Sequence, residues 1–295
     1  MNLVFRGLVL YKMANAVKQE KITKLALIAG RGELPHHLAA SATKSGIDVS
    51  VIALNKNTYN QFKDSYQSEY YSPVEVLEII DSIKSQEIKH MVFIGKVPKL
   101  DFFKNIHKLD PSLMKIVQGL GDMNDDSLHF SLLRLLEEEH GLTVIDQTQY
   151  LRDFFPGPQV FSERQPDAGE LSELQYGLKM AKAIAAVDIG QTVVVKNKAV
   201  IAVEAIEGTN HCIKRAANSF AWFKDNRITV CKVSKPNQDN RFDVPTVGLK
   251  TIAAMPANSI LAFEANECFF VDQAKSIKLA NQKNILLCSV SMGIS

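Results

Sequence analysis

Long apolar runs are missing from this chain: no stretch approaches the ~18 to 20 residues that a membrane-spanning helix needs. A large charge excess of either sign is missing as well. With a net charge of +2 and short Lys/Arg clusters lacking interleaved aromatics, the chain offers nucleic acid no electrostatic footprint, and no nucleic-acid partner is expected. Cysteine is sparse. Cys212, Cys231, Cys268 and Cys288 are widely spaced and form no CxxC pair, which removes the usual zinc site. Cys231 and Cys288 lie in apolar runs and read as small core residues, in keeping with a reduced, cytoplasmic setting. The seven histidines show no HxxxH or HExxH spacing and read as surface or packing residues. Internal repeats and low-complexity tracts are absent. Residues 1–14 are mildly apolar but broken by Arg6 and Lys12, with no cleavage site after them, so no signal peptide is expected. Residues 1–23 read as an N-terminal extension, with Met13 an alternative start.

What is present is a globular composition, 46% hydrophobic and 22% charged, over 295 residues, enough for two ordinary domains. An apolar run at 24–29 ends at Gly30-Arg31-Gly32, a helical pattern follows at 36–45, and a second apolar run occupies 49–54. Strand, glycine turn, helix and strand make a βαβ unit, which implies a parallel sheet with a right-handed crossover. A helix is expected at 74–84, a further strand at 90–95, an amphipathic helix at 128–140 with Asp125 and Asp126 as caps, and a strand at 142–145. Periodicity then lapses around Phe155-Pro156-Gly157-Pro158. The second half continues with a helix at 170–186, a hairpin of 192–195 and 199–205 about Lys196-Asn197-Lys198, a helix through 213–220 and a strand at 228–233. Runs 261–264 and 269–272 are expected to pair around Asn266-Glu267, before a helix at 273–281 and a strand at 285–290. The fold class expected is α/β, with a Rossmann-like parallel-sheet domain at 24–150, a linker at 151–168 and a C-terminal α/β domain with a mixed sheet at 169–295.

The most informative segment is Lys235-Pro236-Asn237-Gln238-Asp239-Asn240-Arg241-Phe242-Asp243-Val244-Pro245-Thr246-Val247-Gly248. It leaves a strand and is dense in cations, carboxylates and amides. Lys235 and Arg241 can hold phosphate oxygens, Arg in a bidentate fork. Asp239 and Asp243 can hold a hard divalent cation or act as a base. These types suit an anionic, phosphorylated substrate with a metal; a solvated polar loop is the bland alternative. Gly30 and Gly32 can bring backbone close to a phosphate or simply make a tight turn. Pro35 replaces the third glycine of GxGxxG, and Asn55 rather than an acid follows the second strand, so a dinucleotide site has little support. Lys96 lies at the same strand-end edge. Glu204 lies on the strand-like run that ends at Ala205 and faces either core or cleft. Thr209 is a helix-cap candidate, and the same helix start can also receive a phosphate.

Four segments in order, Ala29-Gly30-Arg31-Gly32-Glu33-Leu34-Pro35, Ala186-Val187-Asp188-Ile189-Gly190-Gln191, Val203-Glu204-Ala205-Ile206-Glu207-Gly208-Thr209 and the 235–248 segment, resemble the LpxI-type UDP-2,3-diacylglucosamine pyrophosphatases of lipid A biosynthesis in Gram-negative bacteria. The resemblance runs from about residue 24 onward. It implies metal-dependent hydrolysis of UDP-2,3-diacylglucosamine to UMP and 2,3-diacylglucosamine 1-phosphate (lipid X), with Asp243 as the catalytic carboxylate. Val244 stands where Leu is usual, and Asn210 where Asp is common, which leaves Asn210 off the metal list. The expected catalytic set is Asp243, Arg241 and Lys235. The expected substrate contacts are Gly30, Gly32, Lys96, Glu207, Gly208, Thr209, Gln238 and Thr246, and the expected metal ligands for Mg2+ or Mn2+ are Asp243 and Asp239. The first domain's sheet is expected to wall the opposite side of the cleft. Two acyl chains imply an apolar groove and peripheral contact with the cytoplasmic face of the inner membrane. A homodimer is the expectation for a soluble enzyme. Two rival readings stand beside this one: a Rossmann-like nucleotide-dependent oxidoreductase, and a non-enzymatic nucleotide- or lipid-binding protein.

Overall fold

The structure, a computed structural model, describes residues 21–97, 108–110, 114, 130–222, 225–236 and 238–292. The chain divides into two compact units, 1–145 and 146–295.

The first unit contains β1 (Lys24–Ala29), α1 (Leu34–Lys44), β2 (Asp48–Ala53), α2 (Lys56–Phe62), β3 (Gln67–Tyr70), α3 (Val76–Ser85), β4 (His90–Ile94), a π-helical segment (Arg134–Glu139) and β5 (Thr143–Val144). Its five strands are all parallel, in the order β3-β2-β1-β4-β5. β1 and β2 are buried along almost their whole length, as strands covered on both faces must be, and this explains their unbroken apolar runs. Neither α2 nor β3 is expected from the sequence pattern. β3 (Gln67–Tyr70) is a half-exposed edge strand with no apolar run, and α2 is a short polar helix fixed by its cap, Asn55 accepting from the Thr58 N–H at 2.9 Å. The expected helix at 128–140 is described from residue 130 onward, and its caps Asp125 and Asp126 lie outside the described residues.

The order of the sheet reverses between β1 and β4, and the two turns leaving these strands are zipped together. Gly30 N–H donates to Ile94 O at 2.8 Å, and Arg31 and Lys96 exchange backbone bonds of 2.8 and 2.9 Å. A Cβ on Gly30 would stand 2.7 Å from the carbonyl carbon of Gly95, so glycine is required there by close approach of two main chains.

The second unit contains β6 (Gln159–Val160), α4 (Ala168–Ala186), β7 (Thr192–Lys196), β8 (Ala199–Val203), α5 (Thr209–Ser219), β9 (Thr229–Lys232), β10 (Thr246–Val247), α6 (Leu249–Ala253), β11 (Ile260–Glu264), β12 (Phe269–Phe270), α7 (Gln273–Gln282) and β13 (Leu286–Val290). Six strands form a mixed sheet in the order β6-β13-β11-β9-β7-β8. Its centre, β13-β11-β9, is parallel and its flanks are antiparallel. The strand period of two divides the core. Cys231, Ala262 and Leu286 face α4 through Leu174, Leu178 and Ala181, while Val230, Leu261 and Leu287 face the opposite layer with Ile213, Ile252 and Ala280. α4 begins at a capping box in which Asp167 and Glu170 each bond the other's backbone N–H. Asn197 and Lys198, at φ 51° and 57°, form the tight β7–β8 turn.

Two expectations are corrected. Phe269–Phe270 does not pair with β11; it pairs with Thr246–Val247 in a separate two-stranded sheet. The reason is that β9 and β13 occupy both edges of β11, leaving it none to offer. The aperiodic stretch around 155–160 also contributes β6, an antiparallel edge strand on β13. No helix among the described residues is long and apolar enough to cross a membrane.

All four cysteines are buried and unpaired. Burial raises the thiol pKa of Cys212 to about 11 and of Cys268 and Cys288 to about 12, and pushes that of Cys231 up as well. The unfolded chain releases these protons near the ordinary thiol value of about 8.5, whereas the folded chain retains them. Stability is therefore intact below that pH and falls as the pH climbs toward the folded-state values. A thiol-exchange reagent at pH 8 is expected to label none of the four in the native protein and all four in denaturant; one fast-reacting thiol in the native protein would contradict this burial.

Candidate functional site

The carboxyl ends of β9, β11 and β13 point to one edge of the second unit's sheet, together with the start of β7 and the end of β8. The register sets Thr192 beside Lys232, Lys232 beside Phe263, and Glu264 beside Val290. In open α/β sheets this edge is where ligands are received. Residues of alternating orientation carry polar clusters to both faces of it.

On the α4 face, Glu264 is 6% exposed and its Oε2 receives the Lys182 ammonium at 2.6 Å. The same oxygen accepts from the N–H and hydroxyl of Ser234 at 2.8 and 3.0 Å. Ser234 opens the 235–248 segment, so this pair of a buried carboxylate and a half-buried ammonium anchors its root.

The described residues of the segment are tied down at several points. Lys235 pairs with Asp188 at 2.5 Å. Gln238 accepts through Oε1 from Gln191 Nε2 (2.9 Å) and from the Lys235 N–H (3.1 Å), and it donates to the carbonyl of Asp243 at 2.8 Å. Gln147 donates to the carbonyl of Asn240 at 2.9 Å. Arg241 forks onto the Asp239 carboxylate, Nε to Oδ1 at 2.9 Å and Nη2 to Oδ2 at 2.8 Å. Val244 and Val247 are buried beyond it, and the Thr246 hydroxyl turns back to the Val244 carbonyl at 3.0 Å. Asp243 is exposed, and its carboxylate has no hydrogen bond or ion pair among the described residues. A pinned main chain thus presents a free carboxylate to solvent, the arrangement a base or a metal ligand needs.

On the opposite face, the Thr209 hydroxyl at the start of α5 donates to Glu204 Oε1 at 2.8 Å and accepts from the Lys232 ammonium at 2.7 Å. Glu204 Oε2 is buried and has no hydrogen-bond partner among the described residues. Gly208, at φ 81°, makes the turn into α5. Glu207 bonds Arg215 at 2.7 Å and the Ala205 N–H at 3.1 Å; the Arg215 hydrogen bond, with the backbone bonds, holds its carboxyl below the usual range.

The second unit therefore gathers Lys235, Gln238, Asp239, Arg241, Asp243 and Thr246 in one segment, and Glu207, Gly208 and Thr209 around one helix start. Gly30, Gly32 and Lys96 lie in the first unit. There Gly30 and Lys96, with Arg31, Asn55, Lys56, Tyr70 and Ser72, line a crevice of about 220 Å³ above the reversal of the sheet. Its cations suit an anion. Gly32 does not line it. Sequence reading missed Lys232, Lys182 and Glu264 and left Glu204 undecided. One signal was available for Lys232, a charge within the otherwise apolar run of β9.

A divalent cation can be tested against these donors. Among the described residues no three His, Cys, Asp or Glu side chains converge on a metal position. Magnesium does not require such a cage, since it binds through one or two carboxylates and keeps waters and phosphate oxygens. Glu204 Oε2, buried and unpartnered among the described residues, or the exposed Asp243 carboxylate can each supply one such ligand. Asp239, the other expected ligand, forks onto Arg241 through both oxygens, and each oxygen keeps a second lone pair.

Residues 24–154 match the LpxI N-terminal domain family and residues 157–288 the LpxI C-terminal domain family. A relative from Caulobacter vibrioides, the UDP-2,3-diacylglucosamine pyrophosphatase LpxI, is 28% identical over 278 residues, covering 90% of this chain and 97% of that protein.

Proposed function

This chain belongs to the LpxI family, whose two domains it carries in order, and from that premise we propose that it hydrolyses the diphosphate of UDP-2,3-diacylglucosamine to UMP and 2,3-diacylglucosamine 1-phosphate. The observation that carries the reading is the free Asp243 carboxylate, unpartnered among the described residues, on a segment held at Lys235, Gln238, Asn240 and Arg241. In the reaction a water oxygen bonds to one phosphorus, the anhydride oxygen leaves with the other, and Asp243 accepts the proton that the water gives up. Lys235 and Arg241 hold cationic groups along the same segment, where they offset charge on the diphosphate. Asp239 keeps the Arg241 fork in one orientation. Magnesium or manganese, when bound, supplies Lewis-acid polarisation of phosphate oxygens, and the carboxylates that fit it are Asp243 and Glu204.

The acyl chains have an apolar surface available at this edge. Val187, Ile189 and Ile206 are exposed, Ile206 at 89%. They sit on two turns in direct contact, because Gly190 packs against the main chain of Glu204.

The test is UMP release from UDP-2,3-diacylglucosamine by the full chain with magnesium or manganese and then with excess chelator. Metal-dependent release is expected, with KM rising as the acyl chains are shortened. Tight binding without release would favour the non-enzymatic reading and remove the hydrolase. A KM indifferent to acyl length would remove the apolar surface from the proposal while leaving the chemistry.

A further inference from the structure

Among the described residues, Glu204 Oε2 is an exception to the rule that buried polar atoms are partnered. Its position is not loose. The Glu204 N–H donates to Thr192 O at 2.9 Å, and a Cβ at Gly190 would lie 2.1 Å from the Glu204 carbonyl oxygen, so the two turns are in closest contact here. Beside it, on the other side of the Thr209 hydroxyl, Lys232 is 7% exposed. Its ammonium has three N–H donors, and Thr209 Oγ1 accepts the one hydrogen bond it makes among the described residues. The N–H groups of Thr209 and Asn210 open α5, where no intrahelical acceptor precedes them. An orphaned carboxylate oxygen calls for a cation. Spare ammonium and helix-start donors call for an anion. No simple ion answers both demands across a single hydroxyl, but a divalent cation carrying a phosphate does.

We propose that Glu204, Thr209 and Lys232 form a subsite for a cation–phosphate pair, with Glu204 Oε2 on the divalent cation and the Lys232 ammonium on a phosphate oxygen. Thr209 is the positioning residue that fixes the spacing of the two charges. This rests on the hydrolase reading for the source of the phosphate, and it assigns the cation to the α5 face of the edge rather than to Asp239.

The experiment is a Mn2+ titration of the full chain followed by electron paramagnetic resonance, without and with UMP, with circular dichroism on every variant. For the wild-type chain UMP is expected to tighten Mn2+ binding several-fold. Glu204→Gln should weaken Mn2+ binding at least tenfold, and Lys232→Met should abolish the tightening by UMP while leaving binding of Mn2+ alone. Thr209→Val, a near-isosteric change, should also lose the tightening, and it serves if Lys232→Met does not fold. Unchanged Mn2+ affinity in Glu204→Gln, or tightening that survives in both Lys232→Met and Thr209→Val, overturns the proposal. Metal-dependent UMP release by the wild type, measured alongside, separates the two failures. Release with an unchanged Glu204→Gln titration removes only the subsite, whereas the expected titrations without release remove the hydrolase and keep the subsite.

Discussion

Asp243→Asn is expected to lower kcat by about 10² to 10⁴-fold with little change in KM, the range by which a positioned acid or base contributes. That corresponds to about 3 to 5 kcal/mol in the activation barrier. The fold should barely register the change. The main chain of Asp243 is held by the Gln238 amide on its carbonyl and by its own N–H on Asp239 O at 3.3 Å. Neither bond involves the carboxylate, which is exposed and unpartnered among the described residues. Substitutions at such positions usually stay within about 0.5 kcal/mol in stability. Because asparagine keeps the volume and loses only the charge and basicity, a fall in kcat at constant KM marks an interaction made in the transition state. Wild-type turnover in Asp243→Asn would remove this carboxylate from the chemistry. A rise in KM alone would make it a substrate contact.

The largest stability effect is expected at Lys182. Removing Lys182 strands the buried Glu264 carboxylate, and losses of about 3 to 5 kcal/mol are usual when a buried charge loses its partner. In Lys182→Met the Glu264 carboxylate keeps its two bonds from Ser234, which places the expected loss at the low end of that range. A melting temperature lower by on the order of 10 °C should result. Because Ser234 is the root of the 235–248 segment, activity below the melting temperature should fall too. The double variant Lys182→Met/Glu264→Gln removes both charges but leaves an acceptor for the Ser234 N–H, and it should recover most of the lost stability. Differential scanning calorimetry on the single and double variants decides the matter. An unperturbed single variant, or a double variant no better than the single, would show that the pair does not hold this corner together.

Both predictions concern one sheet edge, and only part of that edge was legible in the sequence. The Asp243 segment stood out because it is dense in charge and follows a strand. Its tethering was not visible, since Gln191, Asp188 and Gln147 reach it from 47 or more residues away. Lys232 was hidden for the opposite reason. It sits in an apolar strand, and the hydroxyl that engages its ammonium lies on α5, 23 residues earlier. The same division runs through the fold. β1 and β2 announce themselves by burial on both faces, whereas β3 is half exposed and leaves no apolar trace.

The sequence by itself determined the α/β class, the strands buried enough to need unbroken apolar runs, the helix α4, the tight Asn197-Lys198 turn and the polar segment that carries Asp243. All of these follow from local periodicity, composition and turn chemistry, which act over a few residues. The tertiary structure alone decided that Phe269–Phe270 pairs with Thr246–Val247, that Asp239 belongs to Arg241, and that Glu204 and Lys232 meet across Thr209. Pairing depends on which strand edges remain free, and charge partnership depends on which side chains a sheet brings to one end; neither quantity exists until distant segments have packed.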